Sequence, residues 1–534
     1  MTSLILMNGR ISTLCGPDCT AIAIAGDTVR ALGADADILA LAGPGTEVID
    51  LGGRRVVPGL IDSHVHMHRL ALNRELVPLI DARSVAEVQA AIAAAAAGLP
   101  AGEWVVASSG WHESLLAEGR LPTAAELDAA APDHPVAIPR GGHVMTANSR
   151  ALALAGIGPS SVPPPGGVIV TDAAGAPTGV LLEAATHALR RVMPPPPDRD
   201  TQLRLLRATA AELAGYGIVA VLEPGLDAAR IALYEALEAE GSLDLRVDLM
   251  WWTNNLADAE AGLPAMARPD GPRLRYTGLK FMLDGGIEGA RLSAPYQLVP
   301  GEQTDPGYRG LWLLPPGGEA EFAECLIRAA QAGQQVQCHA CGDEAIDLVL
   351  RGYAAADAVT PIAPLNWAVM HVQLPTRAAL ARMKALGVHA TIQNHAVLLG
   401  ANMVRWWGAE RAAYCSPNRT MADLGLSLAG GTDAPVVPVN PFLALWHFVT
   451  RRTLDGRTLG PGEALTLAEA LESYTLGNAR LMGQAESRGS LAPGKRADLA
   501  VLSQDIFPID PEALPGTRSL LTLHDGRPIH RDGI

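Results

Sequence analysis

The chain has 534 residues, of which 49% are hydrophobic and 18% charged. That is enough apolar mass for a large buried core and far too much for a disordered protein. A net charge of −15 with no basic run makes it a poor nucleic-acid binder, because phosphate contacts need clustered Lys and Arg. Six cysteines at this length are no disulfide framework. The start, Met1 to Arg10, lacks the basic segment and long apolar core of a secretory signal. No uninterrupted apolar run reaches the about 18 residues that a bilayer needs. The expectation is a cytoplasmic enzyme or binding protein that acts on a small molecule, without nucleic-acid or membrane partners. A homodimer is the default assembly.

In chain order, the first ~55 residues read as β-rich by their alternation of short apolar runs and turns. Leu4–Met7 and Thr20–Ile24 are short apolar runs, followed by Asn8-Gly9 and Gly26-Asp27 turn signals. Asp498–Leu502 and Leu520–Leu523 repeat the pattern at the other end. Both ends are expected to pair into one domain, residues 1–55 plus 486–534. The middle, 56–485, alternates. Buried parallel strands are expected at Val56–Ile61, Ile218–Leu222, Leu245–Trp251, Tyr276–Leu283, Gln335–Cys338, Trp367–Met370, Val388–Ile392 and Leu426–Ala429. Helical periodicity fills Ala228–Glu240, Glu319–Ala332, Glu344–Ala356 and Thr376–Leu386. Eight strands with helices between predict an α/β fold, an eight-fold β/α (TIM-like) barrel, with an open sheet as the alternative. Roughly 150 residues separate the first two strands, too many for one βα connection. Residues 70–200 are therefore read as an insert. Insertions after a barrel strand sit at its C-terminal face, beside the active site, so the insert is a candidate substrate cap.

Chemistry-bearing residues collect at strand ends. In Pro58-Gly59-Leu60-Ile61-Asp62-Ser63-His64-Val65-His66, His64 and His66 are two apart and point the same way from a strand end. They could share a metal, or be ordinary strand-end histidines. His68 falls beyond the strand and is set aside. His339, His371 and Asp433 follow the fifth, sixth and eighth strands, and Lys280 lies inside the fourth. Singly, each has a bland reading: a core histidine, a helix N-cap, a snorkelling lysine. Together they make a ligand set suited to Zn2+, with Mn2+ or Fe2+ as alternatives. A buried Lys is costly unless paired, neutralised or modified. Captured CO2 would make Lys280 a carbamate able to bridge two metals. His143 in Gly141-Gly142-His143, Trp111 and the Asp284 turn are candidate pocket residues. Cys338-His339-Ala340-Cys341 has no second pair and reads as packing. Neither a phosphate-binding G-x-x-x-x-G-K-[ST] nor a G-x-S-x-G elbow occurs.

The segment from Pro58 to His66 resembles the first-strand signature of the amidohydrolase superfamily. Gly141-Gly142-His143, Leu279-Lys280 with Asp284-Gly285, His339-Ala340 with Gly342-Asp343, His371-Val372-Gln373, Thr432-Asp433-Ala434-Pro435 and the stretch Gly489–Leu499 narrow this to the amidohydrolase-3 group. That group includes N-substituted formamide deformylases. The resemblance runs in order over nearly the whole chain. It implies a β-sandwich from both termini, a metal-bearing barrel and a large insert. It further implies that His64 and His66 hold the more buried of two divalent ions, His339 and His371 the more exposed, and carbamylated Lys280 bridges them. Asp433 would ligate the first ion and shuttle the proton, and His143 would assist catalysis. Cys341 and Glu288 depart from what is usual beside these ligands and bear on substrate, with Trp111, Asp284 and Glu288 as candidate substrate contacts. The reaction so implied is cleavage of an amide or formamide C–N bond by a metal-bridging hydroxide, Asp433 acting as general base and then acid. Alternatives are cyclic-amide, deaminase or ester hydrolysis at the same site, a single metal with unmodified Lys280, or a silent ligand-binding or regulatory protein.

Overall fold

The computed structural model describes residues 2–299 and 305–534. Its centre is one sheet of eight parallel strands in sequential order: Leu60–Asp62, Ile218–Leu226, Arg246–Trp252, Leu274–Met282, Gln335–Ala340, Ala368–His371, His389–Gln393 and Leu428–Gly431. These strands are apolar on both faces because the barrel interior covers one side and helices cover the other. Ile218–Leu226, for example, is buried at all but one position. The helix Asp343–Asp357 buries Ile346, Val349, Leu350 and Tyr353, at helical spacing, against the sheet. Helix Arg377–Leu386 starts where the Thr376 side chain accepts from the Ala379 amide and stops at Gly387, whose φ of 66° suits a residue without Cβ.

The sheet curls until its edges meet. The Ser63 amide donates to the Gly430 carbonyl at 3.1 Å. The Asn478 side-chain amide bridges the same seam, donating to the carbonyl of Ile61 and, at 2.8 Å, to that of Gly430. The result is a nearly closed parallel barrel.

One expected strand is two. Val56–Ile61 divides at Gly59: Arg55–Pro58 pairs antiparallel with Leu499–Leu502, and Leu60–Asp62 pairs parallel with the second barrel strand. A Cβ at Gly59 would lie 2.7 Å from the Val219 methyls. Only glycine lets the chain pass so close to the barrel while leaving one sheet for another. The sheet that receives Arg55–Pro58 runs Arg10–Ile11, Arg55–Pro58, Leu499–Leu502, Ser519–His524, Arg527–Arg531, so it contains both chain ends. A four-stranded sheet of N-terminal strands shares an apolar cluster with it, including Leu6, Ile22, Val56, Val501 and Leu523. Between the first two barrel strands lies a separate five-stranded sheet, ordered Gly167–Thr171, Pro177–Glu183, Val144–Ala147, Val136–Arg140, Val105–Val106. Among the described residues no helix is long and apolar enough to cross a membrane.

Replacing Asn478 by Ala takes a shared donor from both edges of the barrel seam. It should cost about 1–3 kcal/mol of stability, read as an earlier midpoint in urea unfolding followed by circular dichroism. An unchanged midpoint would mean that the seam is held without it.

Candidate metal centre

Because the strands are parallel, their C-terminal ends open on one face, and the loops that follow them converge there. His64 and His66 follow the first strand. His339 lies near the end of the fifth, His371 ends the sixth, and Asp433 follows the eighth. The ring centroids of His64 and His66 are 5.3 Å apart, those of His64 and His371 4.9 Å, and those of His339 and His371 4.5 Å. The Asp433 carboxylate reaches into this group, its Oδ1 3.4 Å from His64 Nε2 and 3.3 Å from His66 Nε2. Lys280 is buried beneath, its Nζ 2.9 Å from the Met370 sulfur.

The backbone is bent to bring these side chains inward. Asp433 has φ 58° and His371 φ 74°, a left-handed conformation that costs of order 1–3 kcal/mol per residue and gathers at functional sites. Main-chain bonds hold the bend: the Asp433 amide donates to the His64 carbonyl at 2.6 Å and the His66 amide to the Ala434 carbonyl at 2.8 Å. Below them the fully buried Asp62 carboxylate accepts from the His64 amide at 3.0 Å and from the Thr432 hydroxyl at 2.7 Å. The first and eighth strand ends are thus tied together under the ligands. Burial pushes the Asp62 carboxyl up to about 7 against these bonds.

Burial also sets the protonation of the site. It holds His64, His339 and His371 well below the usual imidazole range, so they are neutral at neutral pH and keep a lone pair. Burial alone would raise Asp433, but the neighbouring imidazoles of His64, His395 and His66 outweigh it and hold the carboxyl well below its usual range. Burial lowers the Lys280 ammonium to about 8. At His143 burial favours the neutral ring, yet Glu183, with Oε2 2.9 Å from His143 Nδ1, outweighs it and raises the imidazole.

Sequence reasoning missed several members. His395 places Nε2 2.8 Å from Asp433 Oδ2 and its ring centroid 5.0 Å from that of His371. It stands two residues beyond the seventh strand, so the strand-end rule that found His371 would have found it. Gln393 Oε1 lies 2.8 Å from His371 Nδ1, and Gln373 Nε2 3.1 Å from His395 Nδ1. Such partners fix ring orientation and tautomer. Arg140 had no signal at all. It is buried on the cavity wall between Glu113 and Glu288.

The expected substrate contacts divide. Glu288 lines the cavity, paired with Arg140. Asp284 does not: it is fully buried, and its carboxylate accepts from the amides of Arg291, Cys341 and Gly342. It braces the loop beside His339, a task that an acidic residue in a glycine-rich turn does not announce. Trp111 is set in the apolar core of the insert, its indole donating to the Pro139 carbonyl at 2.9 Å. His68 turns away to Gln202. His143, with Gly141 and Gly142, forms the insert's side of the cavity over His339, His371, His395 and Asp433.

The donor set fits a divalent cation of the zinc type, which takes neutral imidazole and carboxylate. Donor atoms of His64, His66 and Asp433 lie within 4.8 Å of one another, as do those of His371, His395 and Asp433, so one carboxylate serves two groups. His64 Nδ1 and Asp433 Oδ1 are buried without a hydrogen-bond partner, a cost that a cation would remove. Asp284, His339 and Cys341 make a further such group.

The family model described as amidohydrolase family matches residues 47–530. The chain is 29% identical over 536 residues to an N-substituted formamide deformylase of Arthrobacter pascens, covering 96% of this chain and 94% of that one. It is 29% identical over 493 residues to the putative amidohydrolase YtcJ of Bacillus subtilis, covering 88% of each. Among solved structures, an uncharacterised metal-dependent hydrolase of Pyrococcus horikoshii superposes with a TM-score of 0.74 at 26% identity, covering 95% of this chain and 99% of that one. With a family match over nearly its whole length and hydrolase relatives at both levels, the chain belongs to the amidohydrolase family and is a hydrolase of carbon–nitrogen bonds.

Proposed function

We propose that the protein is a metal-dependent hydrolase of an amide or formamide bond in a small, non-peptide molecule. The observation that carries this reading is the convergence of four neutral imidazoles and His395 on one ionised carboxylate, Asp433, at the barrel mouth. The deformylase relative supports the formamide class. His64, His66 and Asp433 would hold one divalent ion, and His339 and His371 a second, with zinc as the first choice. Lys280, whose ammonium burial lowers to about 8, would supply neutral amine for capture of CO2 and so could offer these ions a carbamate ligand. When bound, such ions acidify water to a pKa of ~7 and polarise a carbonyl.

The chain's own groups do the rest. Asp433 is the base: it is ionised, is oriented by His395 and the His64 carbonyl, and has one oxygen free of hydrogen bonds. It takes the proton of the attacking water and returns it to the leaving nitrogen. His143, its imidazole raised above the usual range by Glu183 against burial, stands over the cavity as donor to the carbonyl oxygen as negative charge develops there. Glu288 and Arg140 shape the wall that meets the substituent. In the same reading residues 70–200 are a substrate cap, since Arg140 to His143 come from it. The β-sandwich domain expected from residues 1–55 with 486–534 would extend to Pro58, since Arg55–Pro58 pairs with Leu499–Leu502, leaving the catalytic barrel from Gly59 to 485.

Asp433→Asn should lower kcat by roughly a hundred- to ten-thousand-fold with most bound metal retained. Near wild-type turnover would remove Asp433 from the proton path. Dialysis against a chelator should abolish hydrolysis, with recovery on adding zinc or manganese. Elemental analysis should then find about two equivalents per chain, as two-metal hydrolytic sites hold. About one equivalent would indicate a single ion with unmodified Lys280, and none would leave a silent binding protein. A panel of formamides, acyclic and cyclic amides, aminated rings and esters, assayed with the loaded protein, identifies the scissile bond. Turnover confined to esters would overturn the amide reading.

A further inference from the structure

A second cavity, of about 690 Å3, lies between the first helix after His66 and the insert. Its body is apolar, with Leu72, Leu76, Trp104, Met145 and the proline run 194–197 on the walls. Its polar rim is basic: Arg69, Arg190 and Arg230 all face it. The one acidic side chain on the lining, Glu75, is paired with Arg204 at 3.0 Å.

The three guanidiniums have little to neutralise them. Among the described residues Arg69 and Arg190 make no ion pair. Arg69 donates to the Gly141 carbonyl at 2.8 Å, and Arg190 reaches only the Thr186 hydroxyl and the Gly142 carbonyl, both at 3.5 Å. Arg230 has a single loose contact, 3.6 Å from Asp227 on its own helix turn. After burial, the charge of Arg190 is the next largest influence on Arg69, lowering it to about 10, and Arg230 acts in the same direction on both Arg69 and Arg190. Three cations on the rim of one apolar cavity, on a chain of net charge −15, make a positive local field that an anion entering the cavity would meet. Guanidinium forks suit the two oxygens of a carboxylate.

We propose that this cavity is a binding site for an organic carboxylate with an apolar body, its head held by Arg69, Arg190 and Arg230 and its tail against Leu76, Trp104 and Met145. The Gly141–Gly142 segment separates it from the metal cavity, and Arg69 contacts that segment from behind. The site stands independently of which bond the metal centre cleaves.

Isothermal titration of the full-length protein with octanoate tests it, using octanol as the uncharged probe of the same tail. Octanoate should bind saturably, roughly tenfold or more tighter than octanol, and should weaken as salt rises. The double variant Arg190→Gln with Arg230→Gln changes two solvent-exposed side chains, so the fold should persist. It should lose octanoate affinity by roughly tenfold or more and leave octanol binding unchanged. Equal affinity for the two probes, no saturable octanoate binding, or undiminished octanoate binding in the double variant would each overturn the assignment. The last result would place the acid at the metal centre instead.

Discussion

One buried carboxylate governs the active end of this molecule. Asp433 lies among His64, His66 and His395, all but the partly exposed His66 taken out of water by the barrel wall. An ion buried so deeply survives only with close partners, and its surroundings show how they are supplied. Its backbone is forced left-handed, its amide is bonded to the carbonyl of His64, and Asp62 and Thr432 lock the loop beneath. The closure of the barrel and the geometry of the ligands are therefore one structural fact: the bonds that join the first strand to the eighth also aim the carboxylate.

Around that point the architecture divides labour. The barrel supplies ligands from separate strands, so each is fixed by a rigid element and only the loops vary. The insert closes the cavity from above with Arg140 to His143, on a sheet of its own that needs no barrel strand for support. Its inner surface is charged and paired, within the insert as Glu113–Arg140 and His143–Glu183 and across to the barrel as Arg140–Glu288, while Arg190 on its outer flank joins Arg69 and Arg230 on the lining of the second cavity. The insert thus supplies one wall of the cavity, and the barrel supplies the candidate metal donors.

Much of the ligand set was legible because the residue types are rare and their placement obeys a rule. A histidine or aspartate just past an apolar run, or a lysine inside one, has few bland explanations when six recur in order. His395 obeys the same rule, two residues past the seventh strand, although Asn394 and the helix starting at Ala396 disguise the strand end. Asp284 and Trp111 show the opposite limit. Both read as substrate contacts in sequence, yet the Asp284 carboxylate is held by three backbone amides beside His339 and the Trp111 indole lies in a core.

The linear order of residues, with its period-two and period-3.6 apolar patterns, was sufficient for eight strands, their helices, an oversized first connection and the strand-end ligands. Those features depend on local preference and on which side chains avoid water, and both are written residue by residue. The division of the first strand at Gly59, the pairing of Arg140 with two glutamates, the recruitment of His395 and the gathering of Arg69, Arg190 and Arg230 were settled only by folding. Each joins positions tens to hundreds of residues apart, and the energy of such contacts exists only once the chain has brought them together.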